Sequence, residues 1–339
     1  MLPDILSKLS GEWKDMLKAA NIKIAEPVSV IKIAGAGGEH RKVNFLVFGH
    51  RAALPAVVLK QTRSRMNHER LTSEYESLLT VSSIPFMKGK MPYPIGLFQC
   101  DDGYILVETC ITGMSLDNLL LGYSHLKYSQ VIKDLNATRD WLVGFQRGTR
   151  GDSIRFEGQI EVQRRIERGA FNLPDVFMNQ ILALAKNAEG MLIPLSARHG
   201  DLWPGNIIPA RGEIRVIDWE GFLPSASPFI DLFMFAITYT WSYRWQGFTR
   251  LSRREAFSRA FLETNWFSAA LHSFMGEVFL AIPGMDRKYI WLFFTLFMMD
   301  MACPGLEEDG MQVGNSESWK EHLFLFASHA SLSLDGSCT

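Results

Sequence analysis

Residues 198–221 read RHGDLWPGNIIPARGEIRVIDWEG and form the most informative part of this 339-residue chain. Two short runs rich in isoleucine and valine, 207–208 and 214–217, flank residues 210–213, whose sequence ARGE is typical of a turn. This pattern predicts a β-hairpin, because turn residues between two apolar runs favour antiparallel pairing. Several polar residues lie immediately before and after the predicted hairpin, which makes this segment a candidate functional site.

The predicted hairpin is expected to bring Asn206, just before its first strand, beside Asp218, just after its second. An amide oxygen and a carboxylate are hard ligands, suited to magnesium held together with substrate phosphates. Asp201, five positions before Asn206, could take a proton from a substrate hydroxyl next to the metal. A single such residue usually only forms a turn. Together with His199, four polar positions around one hairpin favour a catalytic site.

The sequence here resembles a known family of enzymes. The residues that carry the resemblance are HGD at 199–201, Asn206 and IDWE at 217–220. They are similar to the catalytic and metal-binding motifs of aminoglycoside phosphotransferases and their choline-kinase-like relatives, small-molecule kinases with the protein-kinase fold. The resemblance covers residues 28–235 and is strongest at 198–221. It implies ATP and Mg²⁺ as cofactors, Asp201 as catalytic base, and Asn206 and Asp218 as magnesium ligands.

The same resemblance directs attention to a lysine and a glutamate nearer the N-terminus. Residues 56–60, AVVLK, look like the strand whose lysine, here Lys60, binds the α- and β-phosphates of ATP. Apolar residues spaced as on one face of a helix follow at 71–79, and Glu74 lies at the edge of that face. The resemblance implies a Lys60–Glu74 pair. Glu76 is the alternative partner, further from the apolar face.

Two further segments are candidate nucleotide contacts. Gly35, Gly37 and Gly38 lie between the predicted strands 28–34 and 43–48, where the resemblance places a phosphate-covering loop. Glycine allows backbone N–H groups to approach phosphates closely, although a strict G-x-G-x-x-G is absent and an ordinary flexible hairpin is the alternative. Residues 107–110 resemble the hinge between lobes, which implies that the backbone at Glu108 and Cys110 binds adenine.

The remaining motif residues are assigned structural roles. Asp231 resembles the family aspartate that begins a buried helix, so we expect it to cap that helix and brace the catalytic loop. His199 is expected to be hydrogen-bonded rather than to carry a proton, because Asp201 already provides the base.

The whole chain predicts an α+β, bilobal protein-kinase-like fold. Strand-like segments, including 104–109, dominate the first third, and helical periodicity follows at 131–145, 258–279 and 287–301. We expect a small β-rich nucleotide-binding lobe over residues 1–111. A larger, mainly helical lobe over residues 112–339 should carry catalysis and the acceptor site.

Composition limits the partners. The chain has 35 Lys and Arg against 36 Asp and Glu, a net charge of −1, which provides no general field for nucleic acid or an anionic membrane. Four cysteines lack disulfide or metal spacing, and the apolar runs 232–243 and 289–299 are shorter than the ~20 residues of a membrane span. The N-terminus lacks a signal-peptide pattern. We therefore expect a cytoplasmic protein without nucleic-acid or membrane partners; the oligomeric state is open.

The acceptor is the least determined property. Six aromatic residues of the second lobe form either a cage for a quaternary ammonium group or a packed core: Trp241, Tyr243, Trp245, Trp266, Trp291 and Trp319. The acidic run 307–309 faces either a cationic substrate or solvent. An antibiotic, an amino alcohol, a sugar or another metabolite remain open as acceptors, and ATP or GTP as donor.

Two other function classes are alternatives to a small-molecule kinase. One is a catalytically silent, pseudokinase-like binding or scaffolding protein. It is disfavoured because every expected polar position carries the right residue type. The other is a protein kinase, disfavoured by the absence of recognisable D-F-G and A-P-E motifs.

Overall fold

The computed structural model describes residues 12–34, 42–62, 68–100, 103–122, 128–243, 251–303 and 316–330. The candidate loop glycines Gly35, Gly37 and Gly38, together with Trp245 and the acidic run 307–309, lie outside these residues. Two compact units are present. The first consists of Met1–Gly113 with Arg215–Glu220, and the second of Met114–Ile214 with Gly221–Thr339. The segment Arg215–Glu220 thus belongs with the N-terminal unit, whereas the proposed boundary between residues 111 and 112 stays a prediction.

The first unit is built on a five-stranded antiparallel sheet with strand order β1-β2-β3-β5-β4. Its strands are β1 (Ser29–Ala34), β2 (Val43–Phe48), β3 (Val57–Gln61), β4 (Pro94–Cys100) and β5 (Gly103–Thr109). Helix α1 (Glu12–Ala19) precedes the sheet, and α2 (His68–Ser82) with a 3₁₀ turn (Pro85–Met87) connects β3 to β4.

The register of the strands gives the sheet two different faces. Val47, Val57, Leu59 and Val107 lie on one face and form a core with Leu17 of α1. Their neighbours along each strand point to the opposite face, because side chains alternate across a sheet. That second face carries Lys60, in register with Asn44 and Leu106, together with residues of β1 and β2. The alternation therefore decides which side of the sheet can bind a ligand.

The second unit is mainly helical. Its helices are α3 (Leu116–Gly122), α4 (Tyr128–Gly148), α5 (Gln159–Gly169), α6 (Asp175–Asn187), α7 (Ile230–Ser242), α8 (Arg253–Phe261), α9 (Trp266–Leu280), α10 (Ile290–Ala302) and α11 (Ser316–His329). Its short strands are β6 (Ser153–Arg155), β7 (Leu192–Pro194), β8 (Ser196–Arg198) and β11 (Leu223–Ala226), and 3₁₀ turns occur at Pro204–Asn206 and Arg287–Tyr289. With its strand-rich first unit, this architecture confirms the predicted α+β fold class.

The two most apolar helices, α7 and α10, are buried on nearly every side. This explains their lack of an amphipathic pattern, since a helix surrounded by protein needs no polar face. Among the residues that the structure describes, no helix is long and apolar enough to cross a membrane.

The prediction of one continuous helix over residues 258–279 is wrong, because the structure has two helices there, α8 and α9. Asn265 interrupts it: its side-chain oxygen accepts hydrogen bonds from the Phe267 and Ser268 N–H groups and caps the start of α9. A capping asparagine has extended rather than helical backbone, so α8 ends before it. The helix predicted over 287–301 likewise begins as a 3₁₀ turn before α10.

Candidate active site

The predicted hairpin is present in the structure. Strands β9 (Ile207–Ala210) and β10 (Glu213–Val216) pair as a two-stranded sheet. Between them Arg211 and Gly212 have positive φ values of 48° and 86°. Two consecutive left-handed residues are characteristic of the tight turns that match the twist of antiparallel strands. Local turn chemistry therefore determines this element, which is why the sequence alone indicated it.

Within the second unit, the structure brings Asp201 and Asn206 together. The Asn206 Nδ2 donates hydrogen bonds to the Asp201 carboxylate Oδ2 at 2.9 Å and to its backbone oxygen at 3.0 Å. The Asp201 N–H donates to His199 Nδ1 at 3.2 Å. These contacts fix the orientation of the Asp201 carboxylate. They use the amide nitrogen of Asn206, so its amide oxygen is the atom suited to a cation.

Asp231 stabilises the loop that contains His199 and Gly200. Its buried carboxylate accepts hydrogen bonds from the His199 N–H at 2.6 Å and the Gly200 N–H at 2.9 Å. The prediction that Asp231 caps its own helix is wrong, because α7 has Phe229 at the N-cap position and no side-chain cap. Asp231 lies one residue inside the helix and satisfies the N–H groups of another segment instead.

Gly200 is required by the backbone of this loop. Its φ is +85°, and an added Cβ would lie 2.1 Å from the Gly221 carbonyl oxygen. Gly200→Ala is expected to lower the free energy of unfolding by more than the ~1–3 kcal/mol of backbone strain alone. The clash with Gly221 involves backbone and cannot be relieved by a rotamer change. Urea denaturation, followed by the fluorescence midpoint, measures the effect.

The matched control is Gly212→Ala in the hairpin turn. Gly212 has nearly the same φ, +86°, but nothing lies within 4 Å of an added Cβ. Its substitution should cost only the backbone strain. Equal losses for the two variants would show that the contact with Gly221 has no effect on stability.

In the first unit, Lys60 lies between two buried carboxylates. Its Nζ is 2.5 Å from Glu74 Oε1 on α2 and 3.1 Å from Glu108 Oε1 on β5. Glu74 is the partner that the resemblance implied, and Glu76, the alternative, is exposed. Because α2 places Glu74 on its buried side, the glutamate meets the lysine that the sheet presents.

The protonation of this cluster follows from burial and charge. Burial opposes ionisation of Glu74, but Lys60 and Lys42 outweigh it and lower its pKa to about 2. For Glu108, burial dominates over the attraction of Lys60 and raises the pKa to about 7. Burial also disfavours the charged form of Lys60, yet Glu108 and Glu74 hold its pKa well above the ordinary value. Glu108 and Glu74 together therefore favour the charged form of Lys60.

Asp218 follows β10 and belongs to the first unit. Its φ of +66° is in the left-handed region, which is uncommon for a non-glycine residue and typical of functional sites. Its Oδ1 is 3.8 Å from Lys60 Nζ. Asp218, Glu74 and Glu220 each offer a carboxylate oxygen, and the three oxygens lie within 4.8 Å of one another. This set of hard oxygen donors fits a magnesium ion.

Lys42, the residue just before β2, is a further member of this cluster that the sequence did not predict. Its Nζ is 2.7 Å from Glu74 Oε2 and 3.7 Å from Asp218 Oδ1, and it also contacts the Glu220 carboxylate. No motif marks this lysine, which is 32 residues from Glu74 in sequence. The start of β2 pairs with β3, and this register brings Lys42 close to Glu74.

The structure bears on one of the two predicted adenine contacts. The Cys110 N–H donates to the Ala56 carbonyl at 3.0 Å, so it is not a free donor for a base. Glu108 lies inside β5, which pairs with β3 on one side and β4 on the other. Its side chain lies beside Lys60, and the role of its backbone in binding adenine stays a prediction.

Most of the described aromatic candidates belong to the core. Tyr243, Trp291 and Trp319 are buried, whereas Trp266 is 36% exposed. Trp241 packs against Trp319 with the two rings tilted and their centroids 5.0 Å apart. The packed-core interpretation of these residues therefore holds for the buried three.

The Lys60–Glu74 contact leads to a test by double substitution. Lys60→Met is expected to weaken ATP binding, and Glu74→Gln should weaken it less, because the glutamate acts through the lysine. The double variant should lose little more than Lys60→Met alone, since directly contacting residues are not additive. Calorimetric ATP affinities of the four proteins measure the coupling.

Glu76→Gln is the control on the same helix, with an exposed side chain and no expected effect. Losses that simply add in the double variant would contradict the proposed unit. Lys60→Met also removes a partner from two buried carboxylates, so each affinity needs a melting temperature beside it.

No protein-family model matches the chain, and no curated protein sequence matches it. Among solved structures, a GDP complex of an aminoglycoside 2'-phosphotransferase variant aligns with a TM-score of 0.51 and 13% identity, covering 94% of this chain and 96% of that one. Aminoglycoside phosphotransferase APH(3'')-Id from Streptomyces rimosus aligns with a TM-score of 0.44 and 17% identity, covering 84% and 97%. Similarity at this level of identity concerns the fold alone. The alignment with the 2'-phosphotransferase, whose TM-score is above 0.5, shows that the chain has the protein-kinase-like fold, as its motifs predicted.

Proposed function

We propose that the protein is a magnesium-dependent kinase that transfers the γ-phosphoryl group of ATP to a hydroxyl group of a small molecule. The observation that carries the proposal is the buried Lys60–Glu74 pair with the Asp218 carboxylate beside it. A charged lysine, fixed by a glutamate and next to a carboxylate able to hold a metal, is suited to binding phosphates.

The sheet face that carries Lys60 also supports nucleotide binding. Ile31 and Ile33 of β1 are 54% and 45% exposed on this face, and Val58 of β3 is half-buried. An apolar surface left open to water is a favourable place for the flat ring of a purine. In the proposed complex the base covers these side chains and the phosphates approach Lys60.

Each catalytic role is proposed for a named residue. Asp218 and Asn206 would hold a magnesium ion, which neutralises charge on the β- and γ-phosphates. Asp201 would accept the proton of the acceptor hydroxyl as the hydroxyl oxygen bonds to the γ-phosphorus, while the bond from that phosphorus to the β,γ-bridging oxygen breaks and ADP leaves. Asn206 supports this role, because its amide already fixes the Asp201 carboxylate. Asp231 acts only by holding the loop.

The acceptor class stays open between a cationic antibiotic, an amino alcohol, a sugar and another metabolite. Because the structural neighbours are aminoglycoside phosphotransferases, aminoglycosides belong first in any panel. The GDP complex of one neighbour is a reason to test GTP beside ATP. Exchange of the donor would leave the proposed residue roles unchanged.

The test has two stages. First, melting temperatures are measured with ATP or GTP, each with and without magnesium; we expect stabilisation that requires the metal. Second, a panel of hydroxylated metabolites and antibiotics is incubated with the preferred nucleotide, and mass spectrometry detects the added phosphoryl group. Asp201→Asn protein is the matched negative control. If no purine nucleotide stabilises the protein, the kinase proposal is wrong and a scaffolding role takes its place.

A further inference from the structure

Lys42 occupies the centre of an acidic cluster in the first unit. Its ammonium contacts Glu220, is 2.7 Å from Glu74 Oε2 and is 3.7 Å from Asp218 Oδ1, with the lysine side chain 18% exposed. These are the same three carboxylates whose oxygens lie within 4.8 Å of one another. The Lys42 ammonium therefore lies among the carboxylates that fit a magnesium ion.

The two lysines have partly different acidic partners. Both lysines contact Glu74 and lie at nearly the same distance from Asp218 Oδ1, 3.8 Å for Lys60 and 3.7 Å for Lys42. They differ in the third partner, because Lys60 is close to Glu108 whereas Lys42 contacts Glu220. An ammonium and a divalent cation cannot share these oxygens without strong repulsion at such short range. One of the two must give way to the other.

Lys42 is the partner that can give way by moving, because its ammonium is carried on a flexible four-carbon stem. Because the Lys42 side chain is partly exposed, it can move toward solvent.

We propose that Lys42 is an internal counter-cation that competes with magnesium for Asp218, Glu74 and Glu220. In this inference, which rests on the proposed function, Lys42 holds the carboxylates while no nucleotide is bound and is displaced when the metal arrives with the phosphates. The phosphates then provide the negative charge that both cations need. The nucleotide-free protein accordingly binds free divalent metal weakly, and Lys42 is a positioning residue that links metal loading to nucleotide binding.

The experiment measures binding of Mn²⁺ alone to nucleotide-free protein, by electron paramagnetic resonance of the free ion. Lys42→Met removes the competing ammonium and should tighten Mn²⁺ binding at least tenfold. Lys42→Arg keeps the charge and should bind as weakly as the wild type. Lys32→Met is the matched control, because it removes a lysine from an exposed position on β1 of the same unit and should leave the affinity unchanged.

A second set of variants locates the effect and guards against misfolding. Adding Asp218→Asn to Lys42→Met should abolish the gained affinity. If Lys42→Met does not fold, Lys42→Gln removes the charge and keeps hydrogen-bonding capacity, and the same gain is expected. Unchanged or weaker Mn²⁺ binding in the charge-neutral variants overturns the inference, as does an equal gain in Lys32→Met. Absence of nucleotide stabilisation in the wild type would instead refute the proposed function, so the two failures are distinguishable.

Discussion

Asp201→Asn is expected to lower turnover by about 10²–10⁴-fold, the usual contribution of a general base, while ATP affinity stays close to the wild-type value. The substitution keeps the size of the side chain and an oxygen that can accept the hydrogen bond from Asn206. It removes only the basic carboxylate. Residual activity should persist, because positioning and electrostatic stabilisation supply most of the catalysis in phosphoryl transfer. Turnover at saturating ATP and acceptor, beside a calorimetric nucleotide affinity, measures both quantities.

Two controls make this result interpretable. Asp152→Asn makes the same chemical change at an exposed position of the same unit and should turn over normally. A melting temperature for each variant separates lost chemistry from lost structure. A well-folded Asp201→Asn protein with the wild-type rate would mean that another group takes the proton, or that no base is needed.

The second large effect concerns the metal. Asp218→Ala should lower turnover by about 10³-fold or more, because a bound cation contributes several kcal/mol of charge stabilisation to the transition state. Asn206→Ala should retain more activity and need a higher magnesium concentration, since the charged ligand Asp218 remains. The measurement is turnover as a function of magnesium concentration for the wild type and both variants.

Asp218→Asn separates the carboxylate from the backbone. Asp218 has a left-handed φ of 66°, and asparagine tolerates this conformation better than alanine does. If the missing charge is responsible, both substitutions should be similarly damaging. Wild-type activity of either variant at limiting magnesium would place the metal elsewhere.

The parts of the site that the sequence predicted are those specified locally. The hairpin around Arg211 and Gly212 follows from turn chemistry between two apolar runs. The Lys60–Glu74 contact was predictable because a strand pattern places Lys60, a helical pattern places Glu74, and the family resemblance pairs the two. The hairpin, the strand and the helix can each be predicted from a short stretch of sequence.

The features that escaped prediction depend on register or on backbone geometry. Lys42 reaches Glu74 only because the start of β2 lies beside β3. The Cys110 N–H is used by Ala56, a backbone contact that no side chain reveals. The break at Asn265 did have a local signal, a capping residue, but the apolar periodicity on both sides obscured it.

The membership of Arg215–Glu220 in the first unit has a practical consequence for dissecting the protein. The Val216 N–H donates to the Lys90 carbonyl at 2.8 Å, so this late segment is bonded to the earlier part of the chain. A fragment that stops at Gly113 would contain Lys60 and Glu74 but neither Asp218 nor Glu220. Gene truncations and chimaeras made by swapping the N-terminal third would therefore leave Lys42 and Lys60 with Glu74 but separate them from Asp218 and Glu220. A functional exchange must transplant residues 215–220 together with the first 113.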